Sequence, residues 1–222
     1  MKAIFASAFL ASMLLLFSGP VSAFDLSGVA KSLGSSEMEG TEALAKTQAG
    51  LKQDLISALS GLLTSQSSMA KTLGEASTAD NLLSTAKTLA SKNVSDDQVA
   101  SAVSAVTGYN EELNDSQHAL EALDADAKAS IADALISYAK GANQLGLLDD
   151  GFISAASQLQ ELLEKATAAQ TASLLDKFSF LASMAPQVSD LASSVGSTTM
   201  GLIEFCRSAG QNVSGAASLM GI

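Results

Sequence analysis

Apolar residues recur at helical spacing along almost the whole 222-residue chain. The first long stripe has members three, four or seven residues apart: Leu44, Leu51, Leu55, Leu59, Leu62, Met69 and Leu73. Such spacing places apolar side chains on one face of an α-helix. Runs in which β-branched or aromatic residues alternate with polar ones are missing from the sequence. The sequence therefore predicts an all-α fold.

Breaks in this periodicity predict five or six helices. The first runs from about Glu39 to Leu73 and ends at Gly74, a favoured residue just after a helix. The second runs from about 79 to 92, and Ser95-Asp96-Asp97-Gln98 has the pattern of a capping box that starts the third. We expect a polar turn at 114–118, a fourth helix that closes near Gly141, a long fifth after 149–151, and a last helix that begins at Pro186.

The connections between these helices are short, which predicts an antiparallel helical bundle. No fixed-period repeat and no Pro- or Gly-rich linker divides the chain after residue 23. We therefore expect residues 24–222 to form a single α-helical domain, with a loose C-terminal tail from about 210.

The N-terminus has the pattern of a secretory signal peptide. Lys2 precedes an apolar run from Ala3 to Phe17, and small residues follow up to Ala23. We expect cleavage after Ala23, so that residues 1–23 are removed and the remaining chain is exported. The periplasm or the cell exterior is the expected location, and a bacterial source is favoured.

The chain is acidic, with 23 Asp and Glu against 12 Lys and Arg and a formal net charge of −11. This charge repels phosphate backbones, and no basic cluster offsets it, so nucleic-acid binding is excluded. The long uncharged stretches Leu55–Ala70 and Leu191–Ile203 are shorter than a membrane-spanning helix. Membrane contact is possible but is not favoured, because an acidic chain is repelled by anionic lipid surfaces.

Candidate catalytic and metal-binding residues are few. His118 is the single histidine, and Asp115 lies three residues before it. Di-iron bundles use an acid at this spacing, but they need two such pairs, so a solvated turn residue is the better interpretation of His118. Because one histidine alone would have to serve any Ser-His-Asp or Cys-His site, nucleophilic catalysis is also disfavoured.

Two groups of carboxylates resemble sites only in part. Asp124 and Asp126 begin like a calcium loop, but the positions of the turn glycine and of the closing acid hold Ala129 and Leu135. Asp124 is better interpreted as a helix cap. Glu161 and Glu164 could pair for acid–base work, but a solvated helix face near Lys165 is favoured over a catalytic cleft.

Cys206 is the only cysteine, so no intramolecular disulfide can form. Arg207 could lower the pKa of its thiol and make it reactive. However, Cys206 lies four residues after Leu202 on the apolar stripe, which favours a buried structural role.

These observations predict a non-enzymatic exported bundle that binds a protein partner or has a structural role. We expect no catalytic residue, no metal ligand and no cofactor. A membrane-active, pore-forming-like helical protein is the alternative, and a hydrolase or metal-dependent enzyme is a third, less favoured class.

Overall fold

The computed structural model describes residues 35–222, with side-chain environments given from residue 40 onward except that of Gln117. The predicted signal peptide, 1–23, lies outside the described residues. Helices cover 87% of residues 35–222, and this range contains no strand. The all-α prediction is therefore confirmed.

Residues 35–222 contain eight helices, more than the five or six expected. They are α1 (Ser35–Thr72), α2 (Ala76–Leu89), α3 (Asp96–Asp115), α4 (Gln117–Glu121), α5 (Ala125–Lys165), α6 (Ala168–Lys177), α7 (Ser179–Ser208) and α8 (Ser214–Leu219). The connections between them are one to six residues long. No helix in this range is long and apolar enough to span a membrane.

The described residues fall into two compact units. Unit 1 contains 35–49 and Ile153–Pro186, and unit 2 contains Gly50–Phe152 and Gln187–Ile222. Helices α1, α5 and α7 each contribute residues to both units. The expectation of one domain over 24–222 stays a prediction.

Helix α1 ends where the sequence predicts. Gly74 has φ of +83°, a left-handed conformation that a residue without Cβ adopts at little cost. The amide of Glu75 donates to the Ala70 carbonyl at 2.9 Å, and that of Gly74 donates to the Lys71 carbonyl at 3.1 Å. These two bonds form a Schellman motif, which satisfies carbonyls that the helix end would leave free.

The predicted capping box at the start of α3 is also confirmed. The amide of Gln98 donates to Ser95 Oγ at 3.2 Å, and the amide of Ser95 donates to Gln98 Oε1 at 2.8 Å. The turn expected over 114–118 is wrong in extent, because only Ser116 separates α3 from α4. Buried Leu113 continues the apolar stripe of α3, and its packing keeps the last turn helical.

Gly141 and the 149–151 segment do not interrupt α5, so the expected helix boundaries there are wrong. A Cβ added to Gly141 would lie 2.7 Å from Leu62 Cγ, and one added to Gly151 would lie 2.8 Å from Leu51 Cδ2. Both glycines therefore allow α1 and α5 to approach closely within unit 2. The close packing of α1 against α5 therefore explains both glycines, which the sequence pattern indicates as helix boundaries.

Pro186 neither ends nor begins a helix, contrary to the prediction. It lies inside α7, where its ring removes the amide that would donate to the Ala182 carbonyl. The segment predicted as one long helix before Pro186 is instead broken twice, at 166–167 and at Phe178. At the first break, the amide of Thr167 donates to Gln170 Oε1 at 2.7 Å. Thr167 and Gln170 form a capping box, which marks the start of α6. The sequence prediction missed this helix start because the helical spacing of apolar residues continues across it.

In unit 1, Gln48 of α1 joins the end of α6 to the start of α7. Its Nε2 donates to the Lys177 carbonyl at 3.3 Å, and its Oε1 accepts from the amide of Leu181 at 3.2 Å. Phe178, the single residue between α6 and α7, is fully buried. A glutamine side chain and a buried ring therefore hold this connection in place.

The residues predicted as a loose tail from about 210 include helix α8. Val213, Ala216 and Ala217 are buried, and Asn143 Nδ2 of α5 donates to the Leu219 carbonyl at 2.7 Å. The C-terminal helix therefore packs on α5 within unit 2.

Candidate functional site

Four helices of unit 2 meet at a buried hydrogen-bonded cluster. Gln66 of α1, Asn110 of α3 and Tyr138 of α5 are each fully buried. Gln66 Nε2 donates to Asn110 Oδ1 at 2.8 Å and to the Val106 carbonyl at 3.0 Å. Tyr138 Oη donates to the same Asn110 oxygen at 2.5 Å, and Asn110 Nδ2 donates to Ser194 Oγ of α7 at 3.4 Å.

The polar cluster stabilises one arrangement of the helices that contribute to it. Burial raises the pKa of Tyr138 well above its usual value, so the phenol stays neutral and keeps its hydrogen for Asn110. Buried amides are costly unless they are hydrogen-bonded, and here each amide nitrogen has a partner. The cluster therefore favours one alignment of the four helices over others.

A cleft of about 510 Å³ opens in unit 2 where the end of α3, α4, the start of α5 and the last turns of α7 come together. Its apolar lining includes buried Leu113, Leu120 and Leu202 and half-buried Phe205. The remaining lining residues are small or polar: Asn114, Glu121, Lys128, Thr198, Gly201, Glu204, Ser208 and Ala209. The cleft thus has an apolar part and a polar rim, which is the usual character of a binding site.

The charges at the rim are mostly negative. Glu121 and Glu204 are exposed, and Lys128 Nζ donates to the Glu121 carbonyl at 2.9 Å. Asp124 caps α5, since its Oδ1 accepts from the amide of Ala127 at 2.8 Å, as the sequence predicted. This side of the cleft therefore favours positive charge.

Thr198 is the deep polar residue of the cleft. Only 2% of its surface is exposed, and its buried hydroxyl lies beside that of Tyr138, where it lowers the pKa that burial raises. Thr198 therefore belongs to the polar cluster as well as to the wall of the cleft. Nothing in the sequence singled out Thr198, because a threonine on a helix stripe is common.

A second, smaller cleft of about 290 Å³ lies between α2 and α3. It contains Tyr109 and Glu112, and the buried Tyr109 hydroxyl lies within hydrogen-bonding reach of the Glu75 carboxylate. Burial and the nearby negative charge of Glu75 raise the pKa of Tyr109 far above its usual value. The phenol is therefore neutral, and it offers no base to a ligand.

The structure places His118 at the surface. Its side chain is fully exposed in α4, with Nδ1 3.8 Å from Glu121 Oε2. Ser116 interrupts the helix between Asp115 and His118, so the two residues do not share a continuous helix face. Within residues 35–222, no group of three or more His, Cys, Asp or Glu is arranged to hold a metal ion.

Cys206 is fully buried, in line with the structural role favoured by the sequence. Burial raises the pKa of its thiol to about 11, so the Arg207 side chain does not produce a reactive thiolate. Glu161 and Glu164 are exposed in α5, where Glu164 Oε1 accepts from Gln160 Nε2 at 3.2 Å. The structure brings none of these predicted candidates together into one site.

The residues of the polar cluster were missed by sequence reasoning, although a signal existed. Gln66 lies four residues after Leu62 and three before Met69, and Asn110 lies four after Val106 and three before Leu113. Each is thus a polar residue on an apolar stripe, which indicates a buried hydrogen-bonded side chain. Comparison with protein-family models, curated proteins and solved structures finds no significant match for this chain.

Proposed function

We propose that this chain is an exported, non-enzymatic antiparallel helical bundle that acts by binding a protein partner. The signal-peptide pattern at 1–23 supports export. Helix connections of one to six residues support antiparallel neighbours, because short loops return the chain beside itself. A structural role in the periplasm or outside the cell would involve the same kind of protein contact, with a partner that stays bound.

The observation that carries the proposal is an exposed aliphatic patch on unit 2, formed by Ile136, Leu147 and Ile222. Their exposed fractions are 42%, 72% and 56%. They are three of the five large apolar side chains exposed in the described part of the chain. Exposed apolar residues that cluster are typical of surfaces that bind proteins, whereas scattered ones are common on any protein.

The geometry of α5 places Ile136 and Leu147 on one helix face, and helix α8, which ends three residues before Ile222, packs against that face. Eleven residues separate Ile136 from Leu147, which leaves them about 20° apart around the helix and about 16 Å apart along it. Asn143 lies on the same face and binds the Leu219 carbonyl, three residues before Ile222. A Cβ added to Gly215 of α8 would lie 3.9 Å from Ile136. The C-terminus therefore reaches the exposed face of α5.

Affinity capture tests the proposal. The purified protein is immobilised and exposed to an envelope and culture-medium extract of the source cells, and bound proteins are quantified by mass spectrometry. We expect a partner that binds the wild type and is reduced at least about fivefold with Leu147→Ser. Ser130→Gln, an exposed change on the same helix about 120° around its axis from Ile136, is the matched control and leaves capture unchanged. No retained protein, or equal loss with both variants, contradicts the proposal.

Liposomes separate this proposal from the membrane-active alternative. Dye release and flotation are measured with the full protein at neutral and mildly acidic pH, since acid protonates carboxylates and reduces repulsion from anionic lipid. We expect neither release nor flotation. Release that is abolished by Leu147→Ser would assign the aliphatic patch to lipid and would overturn the protein-binding proposal.

A further inference from the structure

Within residues 35–222, the chain passes between unit 1 and unit 2 only inside helices. It does so at 49–50 in α1, at 152–153 in α5 and at 186–187 in α7. Helix α6 lies wholly in unit 1, and α2, α3, α4 and α8 lie wholly in unit 2. We infer that α1, α5 and α7 bend at these three crossings, so that unit 1 changes its orientation relative to unit 2. This inference does not depend on the proposed function.

Pro186 at the crossing in α7 is the first argument. It is the last residue of unit 1 along α7 and the only proline among the described residues. Its ring removes the amide that would donate to the Ala182 carbonyl, and the ring also crowds that carbonyl. Sharp bends in helices occur mainly at proline, at glycine and where the hydrogen-bond ladder is interrupted. The ladder of α7 is therefore weakened where the chain leaves unit 1.

Gly50 at the crossing in α1 is the second argument. It is the first residue of unit 2, it is exposed, and a Cβ added to it would meet no atom within 4 Å. Glycine in a helix interior is less favourable than alanine, and close packing does not explain this one. A residue that weakens the helix without making a packing contact suits a bending point.

Gly151 of α5 is the third argument, because it lies within two residues of the second crossing. Its missing side chain lets α5 approach Leu51, the neighbour of Gly50, since a Cβ at Gly151 would lie 2.8 Å from Leu51 Cδ2. Gln48 Oε1 accepts from the amide of Leu181 at 3.2 Å, and Gly50 and Pro186 follow these two residues within about one and a half helical turns. The three helices are therefore weakened near the same place, as a shared hinge requires.

Distances between pairs of spin labels measure the motion of unit 1. The full protein carries Cys206→Ala, and labels are attached at Glu161→Cys in unit 1 and Ser104→Cys in unit 2, both exposed positions. The reference pair, Ser104→Cys with Ser197→Cys, lies within unit 2. We expect the distance distribution between the units to be at least about twice as broad as that of the reference pair. Equal widths would overturn the inference.

Paired alanine substitutions test whether the bend lies at the crossings. With Gly50→Ala and Pro186→Ala, which strengthen α1 and α7 there, we expect the distribution between the units to narrow to about the reference width. The matched control is Gly61→Ala with Gly196→Ala, which strengthens the same helices inside unit 2, where an added Cβ also meets nothing within 4 Å. The control should leave the width unchanged. Equal narrowing by both pairs, or no narrowing by the crossing pair, would overturn the inference.

Discussion

Tyr138 on α5 donates its hydroxyl hydrogen to Asn110 on α3 at 2.5 Å, and both side chains are fully buried. Asn110 Oδ1 also accepts from Gln66 on α1. A single amide oxygen therefore joins three helices of unit 2. A shift of any one of these helices along its axis would break these hydrogen bonds. Such a shift is disfavoured, because it would leave buried donors without acceptors.

Removal of the Tyr138 hydroxyl tests this cluster. We expect Tyr138→Phe to lower the free energy of unfolding by about 1–2 kcal/mol, because the Asn110 oxygen loses a donor. Urea denaturation followed by circular dichroism measures the change. The control is Ser130→Ala on the same helix, since the exposed Ser130 hydroxyl donates only to the Asp126 carbonyl of its own helix. We expect that control to be neutral or slightly stabilising, and equal losses for the two variants would contradict the role of Asn110.

The close approach of α1 and α5 at Gly141 predicts that a methyl group is harmful there. Gly141→Ala places a Cβ only 2.7 Å from Leu62 Cγ, so the gain of about 1 kcal/mol in helix propensity is outweighed by an overpacking cost of about 1–3 kcal/mol. Gly146→Ala on the same helix meets nothing within 4 Å and should stabilise the protein. Thermal unfolding of both variants checks the opposite signs, and a stabilised Gly141→Ala would contradict the close approach.

Pro186 lies within α7, so replacing it should strengthen that helix. Pro186→Ala restores the amide that can donate to the Ala182 carbonyl, and we expect a gain of about 1–3 kcal/mol in the free energy of unfolding. Gly196→Ala in the same helix is the control for propensity alone and should give about 1 kcal/mol or less, since its Cβ meets nothing within 4 Å. A gain for Pro186→Ala no larger than that of the control would indicate that the helix ends at the proline.

Burial of Cys206 predicts a slow reaction with alkylating reagents. Because the pKa of its thiol is raised to about 11, we expect iodoacetamide at pH 8 to modify the folded protein at least about 100-fold more slowly than the protein in concentrated urea. The same shift makes folding less favourable as the pH rises from the ordinary thiol pKa towards 11, because the unfolded chain releases the proton first. Rapid modification of the folded protein at pH 8 would contradict the burial.

Signals that act within one helix turn were readable from the sequence. The Ser95–Gln98 capping box, the Asp124 cap and the Gly74 helix end each depend on residues no more than five positions apart, and the structure confirms them. The same local rules would have found the Thr167–Gln170 capping box. Local physics thus accounts for three of the eight helix starts in residues 35–222, those of α3, α5 and α6.

Features that depend on a neighbouring helix were not readable. In the sequence, Gly141 has the pattern of a helix end, but in the structure Leu62 packs closely against it. Pro186 has the pattern of a helix start, but it lies inside α7. The cleft joins residues of α3 and α7 that are more than 80 positions apart in the chain. No spacing rule brings Leu113 and Thr198 together, so the candidate site required the structure.

We propose that the aliphatic patch of unit 2 binds a protein. Photo-crosslinking tests this contact, with a photoreactive amino acid placed at Leu147 in one protein and in another at Ser130, an exposed residue about 120° around α5 from Ile136. The partner recovered by affinity capture is expected to become attached at position 147 and not at position 130. Attachment at 130 alone, or at neither position while the partner is still captured, would contradict protein binding by the patch.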